Sequence, residues 1–269
     1  MKLSISNISW PVEHDEKMYI FLSSNDIIGL EIAPTRIFPH KPYEKLTEAK
    51  RFADRLKKDY DISISSMQSI WYGITESVFG TDADRRELIE YTKKAVDFAN
   101  VLGCSNLVFG CPRNRAVPFD TSLDSYMPIA YDFFGTTGAY ATDYGVYISI
   151  EPNPPIYGTN FINTTAQAFE LCNKLANPGI KVNIDVGTMI YNGESMQIIN
   201  DNINSINHVH ISEPYLVPIE KRQFHRELLT ELWKLHYSKF ISIEMGSVND
   251  IELVKNSILY IKDLCHDLQ

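Results

Sequence analysis

The sequence predicts a single (β/α)8 TIM barrel, and three observations lead to this fold class. The chain has 269 residues, close to the ~250 that are typical of this fold. Short apolar segments alternate with longer amphipathic ones through eight successive units. Such alternation favours right-handed βαβ units and a parallel sheet, which eight units close into a barrel. Because no linker interrupts the pattern, we expect one domain over residues 1–269.

The first half of the chain supplies four of the predicted units. The third strand has the clearest alternation of apolar and polar residues (DISISSM). Gly103 is a natural stop for the helix predicted over Asp82–Leu102. The strands are predicted over Leu3–Ser9, Gly29–Ala33, Asp61–Met67 and Asn106–Gly110. The helices that follow them are predicted over Glu13–Ser24, Tyr43–Tyr60, Asp82–Leu102 and Leu123–Asp143.

The second half supplies the other four units, and its strands are short runs rich in isoleucine and valine. The strands are predicted over Val146–Glu151, Ile180–Asp185, His208–Ser212 and Phe240–Glu244. The helices are predicted over Thr164–Leu175, Ser195–Asn204, His225–His236 and Asp250–Leu268. A doubly wound open sheet is the alternative fold, but no G-x-G-x-x-G motif follows the first strand.

Composition and charge exclude several classes of protein. Hydrophobic residues make up 44% of the chain and charged residues 22%, the balance of a folded globular protein. The net charge is −9, whereas nucleic-acid-binding proteins usually carry a basic surface rich in Lys and Arg. The sequence has neither a signal peptide nor a long apolar run, so we expect a cytoplasmic protein without a membrane segment. The four cysteines form no CxxC pair, and we expect free thiols.

Potential metal ligands occur at the ends of the last four strands. Glu151, Asp185, His210 and Glu244 follow one another at intervals of about one βα unit. Active sites of these barrels lie at the C-terminal ends of the strands, so the four side chains belong to one rim. Three carboxylates converging there would repel one another, and a divalent cation resolves that conflict. The sequence therefore predicts one divalent metal ion on these four residues.

Two histidines of the seventh strand compete for the ligand position. His208 and His210 are two residues apart and share one face of the strand. His210 lies closer to the C-terminal rim and is the predicted ligand, whereas His208 is assigned a supporting or packing role. Three carboxylates and one imidazole suit Mn²⁺ best, with Mg²⁺, Co²⁺ or Zn²⁺ as alternatives.

Four segments around these residues resemble a known superfamily, the xylose isomerase-like TIM barrels. It includes sugar phosphate isomerases and epimerases, ketose 3-epimerases, inosose dehydratase-type enzymes and endonuclease IV. The resemblance covers essentially the whole chain in order and spacing. The matching segments are Ile150–Asn153, Ile184–Thr188, His208–Glu213 and Ile243–Met245.

This resemblance implies an enzyme and a mechanism. The positions matched by Glu151, Asp185, His210 and Glu244 bind the ion in the family. Glu151 and Glu244 would also move a proton on a ketose, through a metal-stabilised cis-enediolate. The implied function is a metal-dependent isomerase or epimerase of a sugar or sugar phosphate. A dehydratase of an inosose-like or dehydroshikimate-like substrate, and a non-catalytic barrel used as a binding surface, are the alternatives.

The chain departs from its relatives at three places. Many of them have a histidine at the position of Thr188, where it contacts the substrate. Endonuclease IV has further histidines at the ends of strands two and three, where this chain has Ala33–Arg36 and Ser66–Ser69. A DNA-repair nuclease with several metal ions is therefore not expected.

Substrate contacts are predicted from the loops on the same rim. Arginines there could bind a phosphate or carboxylate, and aromatic residues could cover a sugar ring or pack the barrel end. The substrate is expected to be a small sugar, and relatives often form homo-oligomers. The predicted substrate-binding residues are Trp71, Asn153, Thr188, Glu213, Arg36, Arg113 and His225. Further candidates on these loops are Arg115, Lys221, Arg222, Tyr72, Tyr157 and Phe161.

Overall fold

The computed structural model describes residues 1–118 and 122–268 and confirms the predicted barrel. Eight parallel strands pair in sequence order, and β8 pairs with β1 to close the sheet. The strands are β1 (Lys2–Ser6), β2 (Gly29–Ile32), β3 (Ser63–Met67), β4 (Asn106–Phe109), β5 (Tyr147–Ile150), β6 (Ile180–Asp185), β7 (Ile206–Ile211) and β8 (Phe240–Ile243).

Helices follow the strands and cover the outside of the barrel. They are α1 (Asp15–Ser24), α2 (Pro34–Ile37), α3 (Leu46–Tyr60), α4 (Asp82–Leu102), α5 (Met127–Asp143), α6 (Thr165–Leu175), α7 (Val186–Asn192), α8 (Gln197–Asn202), α9 (Gln223–Lys234) and α10 (Ile251–His266). The longest helix, α4, begins at a capping box formed by Thr81 and Asp84 and ends at Gly103, whose φ is 69°.

Some element boundaries differ from the sequence prediction, and local hydrogen bonding explains the main differences. The first strand ends at Ser6 because Asn7–Ser9 form a 3-10 turn. The sequence predicted a single helix between the sixth and seventh strands, but the structure has α7 and α8 there. The added helix α7 begins directly after β6 because the Asp185 carboxylate accepts the backbone N–H of Thr188 and caps it.

The barrel interior is unusually polar, whereas the apolar core lies between strands and helices. Along β2, Glu31 points inward, so its neighbours Leu30 and Ile32 point towards the helices. Inside the barrel, the side chain of Asn106 forms hydrogen bonds with the hydroxyl groups of Ser66 and Ser149 and the amide of Asn207, on three other strands. These bonds satisfy the side-chain amide of Asn106, as burial requires. In the part of the chain that the structure describes, no helix is long and apolar enough to cross a bilayer.

Candidate metal centre

The four predicted ligands come together at the C-terminal rim of the barrel. Asp185 is the last residue of β6 and pairs in register with His210 of β7. Glu151 and Glu244 follow directly after β5 and β8. One ligand atom from each of the four residues lies within 4.8 Å of all the others. Parallel neighbouring strands therefore hold the set at one level.

The His210 ring is fixed between the ligands and the barrel interior. Its Nδ1 atom lies 2.9 Å from Glu151 Oε1 and 3.1 Å from Glu244 Oε2. Its Nε2 atom lies 2.9 Å from Oε2 of Glu31. With the proton on Nε2, the ring donates to Glu31 and presents Nδ1 as the lone-pair donor for a metal.

Glu31 is the residue of this centre that sequence reasoning missed. It is fully buried in β2, and its Oε2 also lies 3.2 Å from Nε2 of His208. Burial raises the pKa of Glu31, but the two histidines lower it by more, so that it stays ionised. The sequence feature that could have indicated Glu31 is its position as the one acidic residue inside the otherwise apolar strand GLEIA. His208, for which a supporting role was predicted, contacts the carboxylate that holds His210.

Asp185 is held by two neighbours of its own rim. The backbone N–H of Thr188 donates to Oδ1 at 2.6 Å, and the Thr188 hydroxyl lies at the same distance. The Ser212 hydroxyl donates to Oδ2. Thr188, predicted to contact substrate, is fully buried and orients this carboxylate instead.

Glu151 is oriented by amides and by a buried arginine. The amide nitrogens of Asn153 and Asn183 donate to its two carboxylate oxygens at 3.0 and 2.8 Å. The guanidinium of Arg115 is fully buried and donates to Asn153 Oδ1 and to the Glu151 carbonyl, both at 2.8 Å. The sequence suggested Arg115 as an anion-binding residue of the rim. In the structure it instead holds the segment after β5 in place through these hydrogen bonds. A methyl group at Gly110 would lie 2.5 Å from Glu151 Oε2, so the absence of a side chain there makes room for this carboxylate.

Glu244 is linked to the end of β3. Gln68 Nε2 donates to Glu244 Oε1 and to the Ser6 hydroxyl, both at 2.9 Å. The Ser69 hydroxyl donates to Gln68 Oε1 at 2.5 Å, which fixes the orientation of the amide. Because all polar atoms of Gln68 are used, Glu244 Oε1 has a defined donor and Oε2 remains turned towards His210.

The charges at this rim fit a divalent cation. Burial and the neighbouring Glu151 raise the pKa of Asp185 to about 6. Burial also raises the pKa of Glu244 to about 7, although His210 opposes the shift. Burial raises the pKa of Glu151 as well, but His210, Asn153 and Arg115 lower it by more. Two buried carboxylates that resist ionisation, a third that is ionised and one imidazole nitrogen form a donor set that a cation stabilises.

A cavity of about 170 Å³ opens onto these ligands. Glu151, Asp185 and Glu244 line it, together with Asn153, which was predicted to contact substrate. The remaining wall includes Gln68, Gly110, Cys111, Tyr157 and Leu216. Tyr157, one of the loop aromatics considered from the sequence, therefore faces the cavity.

Other predicted substrate-binding residues have different surroundings. Trp71 is buried, its indole N–H donates to Thr92, and its ring packs edge-on against Phe109 and Phe133. Arg36 forms an ion pair with Asp15.

The remaining predicted residues follow β4 and β7 in the chain. Arg113 is exposed on the 3-10 turn Pro112–Arg115. Glu213 is buried, and both of its carboxylate oxygens accept hydrogen bonds from Nε of Arg222. His225 is buried 4.0 Å from Glu213, and burial lowers its pKa to about 4. The structure thus does not bring these residues to the wall of the metal cavity.

Solved structures with the same architecture include carbohydrate enzymes. The apo 3-keto-D-glucoside 4-epimerase from E. coli has a TM-score of 0.78 and 18% identity, over 98% of this chain and 99% of that one. The D-psicose 3-epimerase from Clostridium cellulolyticum H10, solved with D-tagatose, has a TM-score of 0.78 and 14% identity, over 100% and 99%. The probable 3-DHS dehydratase from Bacillus anthracis has a TM-score of 0.73 and 17% identity, over 97% and 99%. At these identities the likeness establishes the fold alone.

Sequence comparison identifies the family. No curated protein is significantly similar in sequence to this chain. A family model described as "Xylose isomerase-like TIM barrel" matches residues 26–264. The matched region contains all four residues of the candidate metal centre as well as Glu31. The chain belongs to the xylose isomerase-like TIM barrel family.

Proposed function

We propose that this protein is a metal-dependent isomerase or epimerase that moves a proton on a ketose, with Glu151 and Glu244 as the proton-transfer groups. One observation carries the proposal. These two buried glutamates, from different strands, both contact His210 Nδ1, at 2.9 and 3.1 Å, and both line the cavity. A sugar bound there meets a carboxylate from β5 and another from β8.

The metal would be held by Glu151, Asp185, His210 and Glu244. When bound, a divalent ion polarises the carbonyl of the sugar and offsets the negative charge that develops on its oxygen. The oxygen-rich donor set favours Mn²⁺ among the common divalent ions. The His210 ring keeps its orientation through Glu31, and Asp185 through Thr188 and Ser212.

Proton transfer would use the two glutamates in turn. One carboxylate removes the proton next to the carbonyl, and the other returns a proton to the deprotonated sugar. Return to the opposite face gives the epimer. Asn153 and Asn183 fix Glu151, and Gln68 fixes Glu244, so that neither carboxylate needs to reorganise during the reaction. The sugar epimerases among the structural neighbours share the fold that this arrangement needs.

Exchange of the transferred proton with solvent tests this proposal directly. Protein loaded with Mn²⁺ is incubated in D₂O with D-fructose, D-psicose or D-tagatose, and deuterium next to the carbonyl is followed by NMR. Glu151→Gln and Glu244→Gln should each lower the exchange rate by about 10²–10⁴, the usual contribution of a general acid or base. Asp97→Asn, which removes a carboxylate bonded to Tyr140 on the outer helices, should leave it unchanged.

Two results would contradict the proposal. Exchange that persists at the wild-type rate in either glutamine variant would remove that glutamate from the mechanism. Formation of a dehydrated product, in place of an equilibrium mixture of isomers, would identify a lyase.

A further inference from the structure

A second cavity adjoins the metal cavity at the same end of the barrel. It has a volume of about 600 Å³, and Ser69 lines both cavities. Its other walls include Ile8 after β1, Ala33 after β2 and Tyr72 after β3. Small-molecule sites usually measure about 300–1,000 Å³, so the metal cavity of about 170 Å³ is small by itself. A ligand that filled both cavities would be larger than a single sugar ring.

The second cavity is poorly suited to an anion. Arg36 is the one cation among its described lining residues. The guanidinium donates to the Asp15 carboxylate through Nη1 at 3.3 Å and Nη2 at 2.6 Å, and Nη2 also donates to the Trp10 carbonyl at 3.0 Å. An arginine that binds phosphate needs a free pair of donors and an uncompensated charge. Here Asp15 supplies the counter-charge.

The metal cavity also disfavours a phosphate. Its described wall contains three carboxylates, from Glu151, Asp185 and Glu244, and neither lysine nor arginine. A divalent ion would leave one negative charge on this set. A phosphorylated sugar would bring further negative charge to a poorly hydrated space, where repulsion is stronger than in water. Both cavities therefore disfavour an anionic molecule.

The wall of the second cavity suits a sugar ring. Tyr72 is 72% exposed and stands at the edge of the cavity, with Pro39 and Ile8 among the other lining residues. A tyrosine presents a flat apolar face and a polar hydroxyl. A pyranose ring combines C–H faces with hydroxyl edges and can therefore use both parts of this side chain.

We propose that the natural substrate is an uncharged glycoside of a ketosugar. The reacting ketose occupies the metal cavity, and a second sugar ring, joined by a glycosidic bond, occupies the cavity between Arg36 and Tyr72. This inference rests on the proposed function for the reacting end of the substrate. It adds the substrate class and assigns the loops after β1, β2 and β3 to specificity.

The test compares ketoses that differ only in their substituent. D-Fructose carries none, isomaltulose carries glucose on O6, lactulose carries galactose on O4, and D-fructose 6-phosphate carries a charged group on O6. The measurements are kcat/KM for deuterium exchange and Kd by calorimetry, both with Mn²⁺-loaded protein. At least one disaccharide should exceed fructose by roughly tenfold or more, the discrimination that an added pocket contact can give. D-Fructose 6-phosphate should fall below fructose.

Variants of the second cavity sharpen the comparison. Tyr72→Ala removes the ring at its edge, and Thr35→Trp places a large side chain from α2 in the cavity itself. Each should lower the ratio of disaccharide to fructose, in both kcat/KM and affinity, by about tenfold. Trp233→Ala removes an aromatic side chain that is 49% exposed on the outer helix α9, and it should leave the ratio unchanged.

The outcomes separate this inference from the proposed function. Exchange of fructose at a rate equal to or above that of both disaccharides would overturn the inference and leave the proposed function intact. Preference for D-fructose 6-phosphate would do the same. Tight binding of a disaccharide without exchange would support the inference and overturn the proposed function. If no sugar is bound or exchanged, both are wrong.

Discussion

Nε2 of His210 lies 2.9 Å from Oε2 of Glu31, whereas Nδ1, on the other side of the ring, faces the candidate ligands Glu151 and Glu244. The same oxygen of Glu31 lies 3.2 Å from His208. Histidine ligands of metals commonly donate their second N–H to a carboxylate, which fixes the tautomer and makes the ligating nitrogen more basic. Glu31 of β2, which is not among the four candidate ligands, thus fixes how the candidate ligand His210 of β7 is presented.

The first prediction concerns this contact. Glu31→Gln keeps the size of the side chain but removes the charge that stabilises the Nε2–H tautomer of His210. The affinity for Mn²⁺, measured by competition with a chelator, should fall by about 10- to 100-fold, as when other such partners are lost. Asp97→Asn serves as the control for loss of a carboxylate elsewhere. An unchanged affinity in Glu31→Gln would show that the contact does not position His210.

A second prediction follows from the space beside Glu151. In Gly110→Ala the new methyl group would lie 2.5 Å from Glu151 Oε2, so the carboxylate must move. Deuterium exchange should fall by about 10²-fold, because a displacement of about 1 Å in a catalytic group can cost that much. Circular dichroism should show an intact fold.

The matched control for this variant is Gly135→Ala in α5. A methyl group at Gly135 would meet no atom within 4 Å. Alanine is favoured over glycine inside a helix by roughly 0.5–1 kcal/mol, so this variant should gain stability and keep full exchange activity. Equal activity of the two alanine variants would contradict the assignment of Gly110 as a spacer for Glu151.

The barrel and the grouping of Glu151, Asp185, His210 and Glu244 at one rim could be predicted from the sequence because both follow from periodic patterns. The periods of strands and helices differ, so the elements can be told apart along the chain. Residues at the ends of four successive parallel strands lie on one rim, so their approach to one another follows from their positions. Glu31 could not be assigned in this way. Glu31 contacts His208 and His210 only because the closed barrel places β2 opposite β7, and the sequence does not show that contact.

Loop residues were the least predictable part of the site. Trp71 follows β3 just as Tyr72 does, yet the first packs into the aromatic core and the second is exposed beside the cavity. Arg115 lies on the predicted rim, but it is buried under Glu151 and Asn153. A sequence shows that such residues follow a strand, whereas the path of the loop decides which way they turn.

A third prediction concerns stability of the metal-free protein between pH 6.5 and 8. In the folded state the pKa of Glu244 is raised to about 7, and the pKa of His210 lies well above its usual value, since Glu244 and Glu31 outweigh the effect of burial. The folded protein therefore binds more protons than the unfolded chain in this range. Its free energy of unfolding should fall as the pH rises.

The pH range and the control follow from the other titrating groups. Below pH 6.5 the buried His208 and His225, whose pKa values are lowered, act in the opposite direction. Chemical denaturation of chelator-treated protein should thus show lower stability at pH 8 than at pH 6.5, with a smaller difference in Glu244→Gln. Added Mn²⁺ should stabilise the protein more at pH 8, because its ligands must be deprotonated. Stability that rises with pH in the metal-free protein would contradict this account.

Bound metal per chain tests the central claim most directly. Protein purified without chelator or nickel resin is analysed by mass spectrometry beside the Glu151→Gln/Asp185→Asn double variant, with circular dichroism to confirm that both are folded. We expect close to one divalent ion per wild-type chain and loss of that ion from the folded double variant. A wild-type chain without metal, even after dialysis against Mn²⁺ or Zn²⁺, would contradict the account, as would a double variant that retains the ion.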